Sequence, residues 1–119
     1  MDDKTGRKVC QLVAGIVAAD GDIDPTEDEF VKRLTRWFNL FWVKREDLQP
    51  LPTAAQAAAE MKSLAPDVQQ EVLELMIQAV AADRRYVDEE RKYLERVAVV
   101  VGVPNDELDR RVAQAIQRL

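Results

Sequence analysis

The chain contains an internal repeat, because a shift of 63 residues places residues 9–40 on residues 72–103. Most of the matched positions are apolar, which helix packing alone would produce. Packing does not require the matches of an aspartate, a glutamate and an arginine. The repeat therefore predicts that one supersecondary unit is built twice. The identical pairs are Val9/Val72, Leu12/Leu75, Val17/Val80, Ala18/Ala81, Ala19/Ala82, Asp20/Asp83, Glu27/Glu90 and Arg33/Arg96.

The spacing of apolar residues predicts that each unit is a helical hairpin. In the first unit they recur three and four residues apart, the period of an amphipathic helix, at Val9, Leu12, Val13, Ile16 and Val17. A turn at residues 20–22 follows, and Pro25 marks the start of a second helix. No segment alternates with period two for long enough to predict a strand. The predicted fold is all-α, a compact bundle of about seven helices in which two similar hairpins pack about an approximate twofold axis.

Local signals mark the ends of the later helices. Thr53 and Gln56 form the pattern of a capping box before an alanine-rich helix that ends near Ser63. Pro66 is placed to open the next helix. Gly102 is a typical helix stop, and Asn105 is predicted to cap the last helix.

Composition limits the possible functions. A length of 119 residues suits one domain, residues 1–119, with the internal repeat inside it. The chain has no histidine and a single cysteine, Cys10, which excludes serine–histidine and cysteine–histidine catalysis, the usual zinc sites and a disulfide framework. A net charge of −5 disfavours nucleic acid as a partner. The uncharged run 9–19 is too short to span a bilayer. We therefore expect a cytoplasmic protein without direct membrane insertion, in which Cys10 is a buried apolar residue.

Acidic residues occupy the inward stripe of both predicted hairpins. Asp20 follows Val9 by about three helical turns, and Glu27 is spaced to lie on the apolar line of its helix. Asp83 and Glu90 repeat both placements. A charge in such a position costs several kcal/mol unless something compensates for it.

Two explanations of these acids remain open. In the first, the carboxylates cap helices and interact with the positive end of the helix dipole. In the second, they bind a hard divalent cation, Ca²⁺ or Mg²⁺, which prefers oxygen ligands. The spacing begins like a calcium loop but departs from the EF-hand, because Gly21 and Pro25 are out of place. The candidate metal ligands are Asp20, Asp22, Asp24, Glu27, Asp83 and Glu90.

Four of the seven aromatic residues fall within six positions, at Trp37, Phe38, Phe41 and Trp42. One interpretation is that they anchor the core at the end of the first hairpin. The other is a partner-binding groove with Trp42 as its anchor.

The residues 18–23 through Glu27, echoed by 81–83 through Glu90, resemble the doubled A-D-G-x-I-x-x-x-E signature of the TerB tellurite-resistance family. Related modules occur in membrane-anchored DjlA-type J-domain co-chaperones. The resemblance extends over about residues 9–119 and implies a compact bundle of about seven helices. It also implies a bacterial stress-response role, including tellurite resistance, through protein complexes near the membrane. The clustered acids listed above would then bind a divalent metal. The second copy departs from the signature at Arg84 and Tyr86.

Three functions follow as hypotheses. The preferred one is a non-enzymatic, TerB-like interaction module that binds protein partners, with a cation as a stabilising ligand. The alternative is a calcium-responsive sensor whose acidic loop controls partner binding. A hydrolase that uses paired carboxylates is the least favoured, because no nucleophile or phosphate loop accompanies them.

Overall fold

This computed structural model describes residues 2–19, 25–40, 42–43, 45–82, 84 and 86–118, with the backbone alone described at residues 27, 45 and 46. The regular structure within these ranges is helical. The predicted all-α class is confirmed within these ranges, although one of the seven helical segments is a short 3-10 helix. None of the helices formed by the described residues combines the length and the apolar character needed to cross a bilayer. The segments are α1 (Asp3–Val17), α2 (Pro25–Trp37), the 3-10 helix η1 (Arg45–Leu48), α3 (Ala54–Lys62), α4 (Pro66–Ala81), α5 (Asp88–Val101) and α6 (Asn105–Gln117).

The helix ends follow most of the local signals. The hydroxyl of Thr53 accepts from the Gln56 N–H at 3.2 Å, and the Gln56 side chain accepts from the Thr53 N–H at 3.0 Å, so the predicted capping box is present. Pro66 is the first residue of α4, and Gly102 ends α5 with φ 86°, a conformation that glycine adopts without strain. The prediction for Asn105 is wrong: it is the first residue of α6, and its side-chain amide donates to Glu95 Oε2 at 3.4 Å.

The helix boundaries follow the spacing of the sequence repeat. Helix α4 begins 63 residues after α1, and α5 begins 63 residues after α2. Helix α1 packs against α2 as α4 packs against α5, and the cross-pairs α1/α5 and α2/α4 are also in contact. An exchange of the two hairpins therefore preserves this pattern of helix contacts. Helix α3 is outside the pattern, since it packs against α5 and α1.

The core lies between α1 and α4, the first helices of the two hairpins. Their inward residues are almost fully buried, and each large apolar side chain contributes roughly 1.5–3 kcal/mol to stability. They include Val9, Leu12, Val13 and Ile16 from α1 and Val72, Leu73, Met76 and Ile77 from α4. Cys10 is also fully buried, as predicted, and burial raises the pKa of its thiol to about 12. The second helices of the two hairpins, α2 and α5, pack against this central pair.

Candidate functional site

Most of the predicted metal ligands lie outside the residues that the structure describes. This holds for Asp20, Asp22, Asp24 and Asp83 and for the side chain of Glu27. Helix α2 does begin at Pro25, as predicted, which places Glu27 in its first turn. Among the described residues, no group of three or more histidine, cysteine, aspartate or glutamate side chains is arranged to hold a metal ion. The cation site therefore stays a prediction.

Glu90 is the one predicted ligand whose side chain is described, and it points inward. Only 2% of the residue is exposed, and its Oε1 accepts from the backbone N–H of Val87 at 3.3 Å. Glu90 thus performs half of a capping box, because Val87 has no side-chain acceptor to complete the other half. The carboxylate also lies in the first turn of α5, where the helix dipole favours negative charge. For Glu90, the predicted inward placement is confirmed and its visible role is capping.

The turn before α5 carries an aromatic contact that the sequence did not reveal. The guanidinium of Arg91 lies 5.0 Å from the centroid of the Tyr86 ring and 3.6 Å from Asp109 Oδ2. Burial raises the pKa of the Tyr86 hydroxyl, and the negative charge of Asp109 adds to the effect. The buried hydroxyl has no hydrogen-bond partner among the described residues. These contacts attach the start of α5 to α6.

The aromatic cluster at the end of α2 is divided between the core edge and the surface. Phe38 is half-buried against the core, whereas Trp37 is 78% exposed and Trp42 is 63% exposed. Phe41 lies outside the described residues. The core interpretation is therefore wrong for both tryptophans. Trp37 precedes Phe38 by one residue, so it is rotated by about 100° from it around the helix.

Trp37 borders an apolar groove between α2 and α4, here called the α2/α4 groove. The central cavity of this groove has a volume of about 410 Å³. The half-buried side chains of Phe30, Phe38 and Leu75 form part of its lining. Arg33 lies over the Phe30 ring, 5.8 Å from its centroid. Cavities of about 640 and 310 Å³ adjoin this one and share lining residues with it. The central cavity is lined by Phe30, Arg33, Leu34, Trp37, Phe38, Glu71, Leu75 and Gln78.

Phe30 and Leu75 lie at helical spacing from other apolar residues of their helices. This pattern is typical of core residues, so it gave no direct signal for the groove. Both residues do face the bundle, but no described segment covers them completely. The only hint in the sequence was the cluster of aromatic residues at positions 37–42. An open apolar trough between two helices is a shape that binds amphipathic helices.

Comparison with known proteins gives one match. The family model described as "Tellurite resistance protein TerB" matches residues 46–113. The matched range contains the second copy of the repeat, residues 72–103, but not the first copy, in which the quoted signature is more complete. No curated protein matches the chain, and no solved structure does.

Proposed function

The chain belongs to the tellurite resistance protein TerB family, and from that premise we propose that it is a non-enzymatic module that binds other proteins. Its setting would be a cytoplasmic stress response associated with a membrane-bound complex. The observation that carries the proposal is the exposure of Trp37 and Trp42, at 78% and 63%. Tryptophan is enriched among the residues that dominate binding energy at protein interfaces.

Trp42 is the proposed anchor for the partner. Its neighbour Val43 is 7% exposed, so the segment is held to the core on one side while Trp42 faces solvent on the other. A large ring on a fixed support loses little conformational entropy when a partner covers it. With a net charge of −5, the protein is also better suited to protein partners than to nucleic acid.

The test is site-specific photocrosslinking in cells challenged with tellurite. A photoreactive amino acid replaces Trp42 in one variant and Val99 in a matched control, since Val99 is a 71% exposed apolar residue on α5. We expect discrete protein adducts from position 42 and none from position 99. Trp42→Ala should retain the thermal stability of the parent protein and lose both the partner and the resistance. Equal adduct patterns at the two positions, or full resistance in Trp42→Ala, would contradict the proposal.

A second candidate function is a cation-responsive sensor, favoured by the buried carboxylate of Glu90. Its counterpart Glu27 follows three aspartates, and the set Asp20, Asp22, Asp24 and Glu27 offers the oxygen ligands that Ca²⁺ and Mg²⁺ prefer. Asp83 and Glu90 would provide the weaker second site. Filling the acidic loop would alter the packing of α2 and so the presentation of the tryptophans at its end.

Calorimetric melting with Ca²⁺, Mg²⁺ or a chelator tests this candidate. A cation at ten times its dissociation constant should stabilise the native state by about 1.4 kcal/mol, which corresponds to roughly 5 °C in Tm. Asp20→Asn and Glu27→Gln should remove the shift, whereas Glu89→Gln, on an exposed acid, should retain it. The sensor also requires a cation-dependent change in tryptophan fluorescence. Unchanged melting at millimolar cation would eliminate cation binding, and unchanged fluorescence alone would eliminate the sensor.

A further inference from the structure

The two hairpins create two equivalent interhelical grooves, and the residues that the structure describes cover only one of them. The 63-residue shift relates α1 to α4 and α2 to α5. The α2/α4 groove therefore corresponds to the groove between α5 and α1. Helix α3 lies in the latter, where it packs against both α5 and α1. No described segment takes the corresponding place on α2 and α4.

Equivalent residues differ in burial according to the presence of α3. Leu12 and Leu75 are identical residues at matched positions, yet Leu12 is fully buried and Leu75 is only half-buried. Tyr93 is 4% exposed beneath the α3 segment, whereas its counterpart Phe30 is half-buried. The apolar residues that α3 covers in one groove therefore have apolar counterparts in the α2/α4 groove that no described helix covers.

The first helices of the two hairpins carry opposite charges at one matched position on the groove rims, Lys8 on α1 and Glu71 on α4, whereas Arg33 and Arg96 on the second helices are identical. In the covered groove, Lys8 Nζ lies 3.0 Å from Glu60 Oε1 on α3. The position that corresponds to Lys8 on α4 is occupied by Glu71, which is exposed at the rim of the open groove. Asp67 and Glu74 lie one turn on either side of Glu71 and line the adjoining cavities. A helix that copied α3 would place its glutamate against this acidic rim.

We propose that the α2/α4 groove binds an alanine-rich helix of a partner protein that carries lysine or arginine where α3 carries Glu60. This inference rests on the proposed role as an interaction module and specifies the chemistry of one partner. In α3 the residues buried in the groove are Ala57 and Met61, four residues apart. The partner helix therefore presents a small and a flexible apolar residue at this spacing, with the basic residue one position before the second.

The proposed partner helix resembles α3 but has no counterpart of the segment that precedes α3 in this chain. In the covered groove, Pro52 lies against Gly15, which has no side chain. The matched position in the open groove is Gln78, which lines the cavity and is exposed. The covered groove thus has a glycine where it meets Pro52, and the open groove carries an amide side chain at that position. The partner helix thus enters the groove without a counterpart of residues 51–52.

A peptide pair derived from the chain itself tests the proposal. The probe is a capped peptide of residues 53–63, which leaves out residues 51–52, with the substitution Glu60→Lys, and the matched control is the same peptide with the native glutamate. The two tryptophan indole N–H signals of the whole protein report binding by NMR, with Trp37 at the groove and Trp42 outside its lining. A helix of this length is marginally stable in isolation, so binding is measured at concentrations up to about 1 mM.

We expect the Glu60→Lys peptide to shift the Trp37 signal and to bind about fivefold more tightly than the native peptide, as a reversed ion pair of partly exposed groups predicts. In the protein variant Glu71→Lys the preference should reverse. In Glu89→Lys, whose exposed residue lies on α5 outside the groove, it should persist. A preference that Glu71→Lys leaves unchanged, or no effect of either peptide on Trp37, overturns the inference.

Two further outcomes separate this inference from competing explanations. If sedimentation detects a dimer of the protein that Trp37→Ala abolishes, the occupant is a second copy and the proposal is wrong. If Trp37 stays silent to both peptides while crosslinking at position 42 still captures a partner, the groove inference fails and the proposed function stands. If crosslinking fails and the peptide preference reverses as expected, the function proposed from the exposure of Trp42 is contradicted and the groove inference stands.

Discussion

Helix α1, helix α5 and the segment before α3 approach one another closely at Gly15. A Cβ atom placed on Gly15 would overlap the Tyr93 hydroxyl oxygen and would lie 3.1 Å from Pro52 Cγ. The Tyr93 hydroxyl cannot move away freely, because it donates to the Pro52 carbonyl oxygen at 3.1 Å in a buried position. The substitution Gly15→Ala therefore forces apart two segments that a hydrogen bond holds together.

The expected loss of stability can be worked out from these contacts. Alanine gains about 1 kcal/mol over glycine in a helix interior. Overpacking costs about 1–3 kcal/mol, and leaving the buried Tyr93 hydroxyl unpaired costs roughly another 1–3 kcal/mol. The net destabilisation is about 3 kcal/mol. For a domain of this size it lowers Tm by roughly 12 °C.

The assay is urea and thermal unfolding monitored by circular dichroism, with Gly6→Ala as the control. Gly6 lies in the same helix, and the nearest atoms to a Cβ atom there belong to the Phe38 side chain, at 3.3 Å or more, so we expect stability within about 1 kcal/mol of the parent. Tyr93→Phe should destabilise on its own, but in combination with Gly15→Ala it should cost less than the sum of the two changes, since the overlapping oxygen is absent. The reasoning is refuted if Gly15→Ala unfolds like Gly6→Ala, or if the double variant is additive.

Two other predictions follow from burial. Leu12→Ala should destabilise the protein by about 2–5 kcal/mol and Leu75→Ala by roughly 1–2 kcal/mol, because the matched residues differ in cover; equal losses in urea unfolding would contradict the unequal grooves. Burial raises the pKa of the Cys10 thiol from 9.0 to about 12. Between these pH values the folded protein keeps a proton that the unfolded chain loses, so the free energy of unfolding declines as the pH rises from 9 to 12. The free energy of unfolding of Cys10→Ala should therefore decline less above pH 9 than that of the parent protein. If Cys10 in the native protein reacts with a thiol reagent as fast as in the urea-unfolded protein, its burial is refuted.

Local signals predicted the helices well because the residues that produce them act over three or four positions. Thr53 and Gln56 satisfy each other's backbone groups whatever the rest of the chain does. Pro66 lacks an N–H at a position where none is needed. The inward placement of Glu90 was equally accessible, since it follows from helical spacing and a start of α5 that the repeat located.

The surface at the end of α2 was not predictable in the same way. Periodicity determines direction only while the helix continues, and α2 ends at Trp37. Asn39 then adopts φ 58°, in the left-handed region, so the chain leaves the helical path before Trp42. An aromatic residue in such a segment carries no pattern that distinguishes core from surface. Its exposure depends on tertiary packing alone.

The unequal cover of the two grooves depends on residues that look unimportant in the repeat. Leu12 and Leu75 are identical residues on the two apolar stripes, so the hydrophobic pattern does not determine which groove α3 occupies. Charge favours the groove of Lys8 over that of Glu71, but a partly exposed ion pair contributes only about 0.2–1 kcal/mol. A second difference is steric, because Pro52 packs at a glycine in one groove, whereas the matched position in the other carries the Gln78 side chain. Glycine at position 15 therefore makes room for the segment before α3 in one groove of a nearly symmetric pair, and we attribute the choice of groove to this difference together with the charge of Lys8.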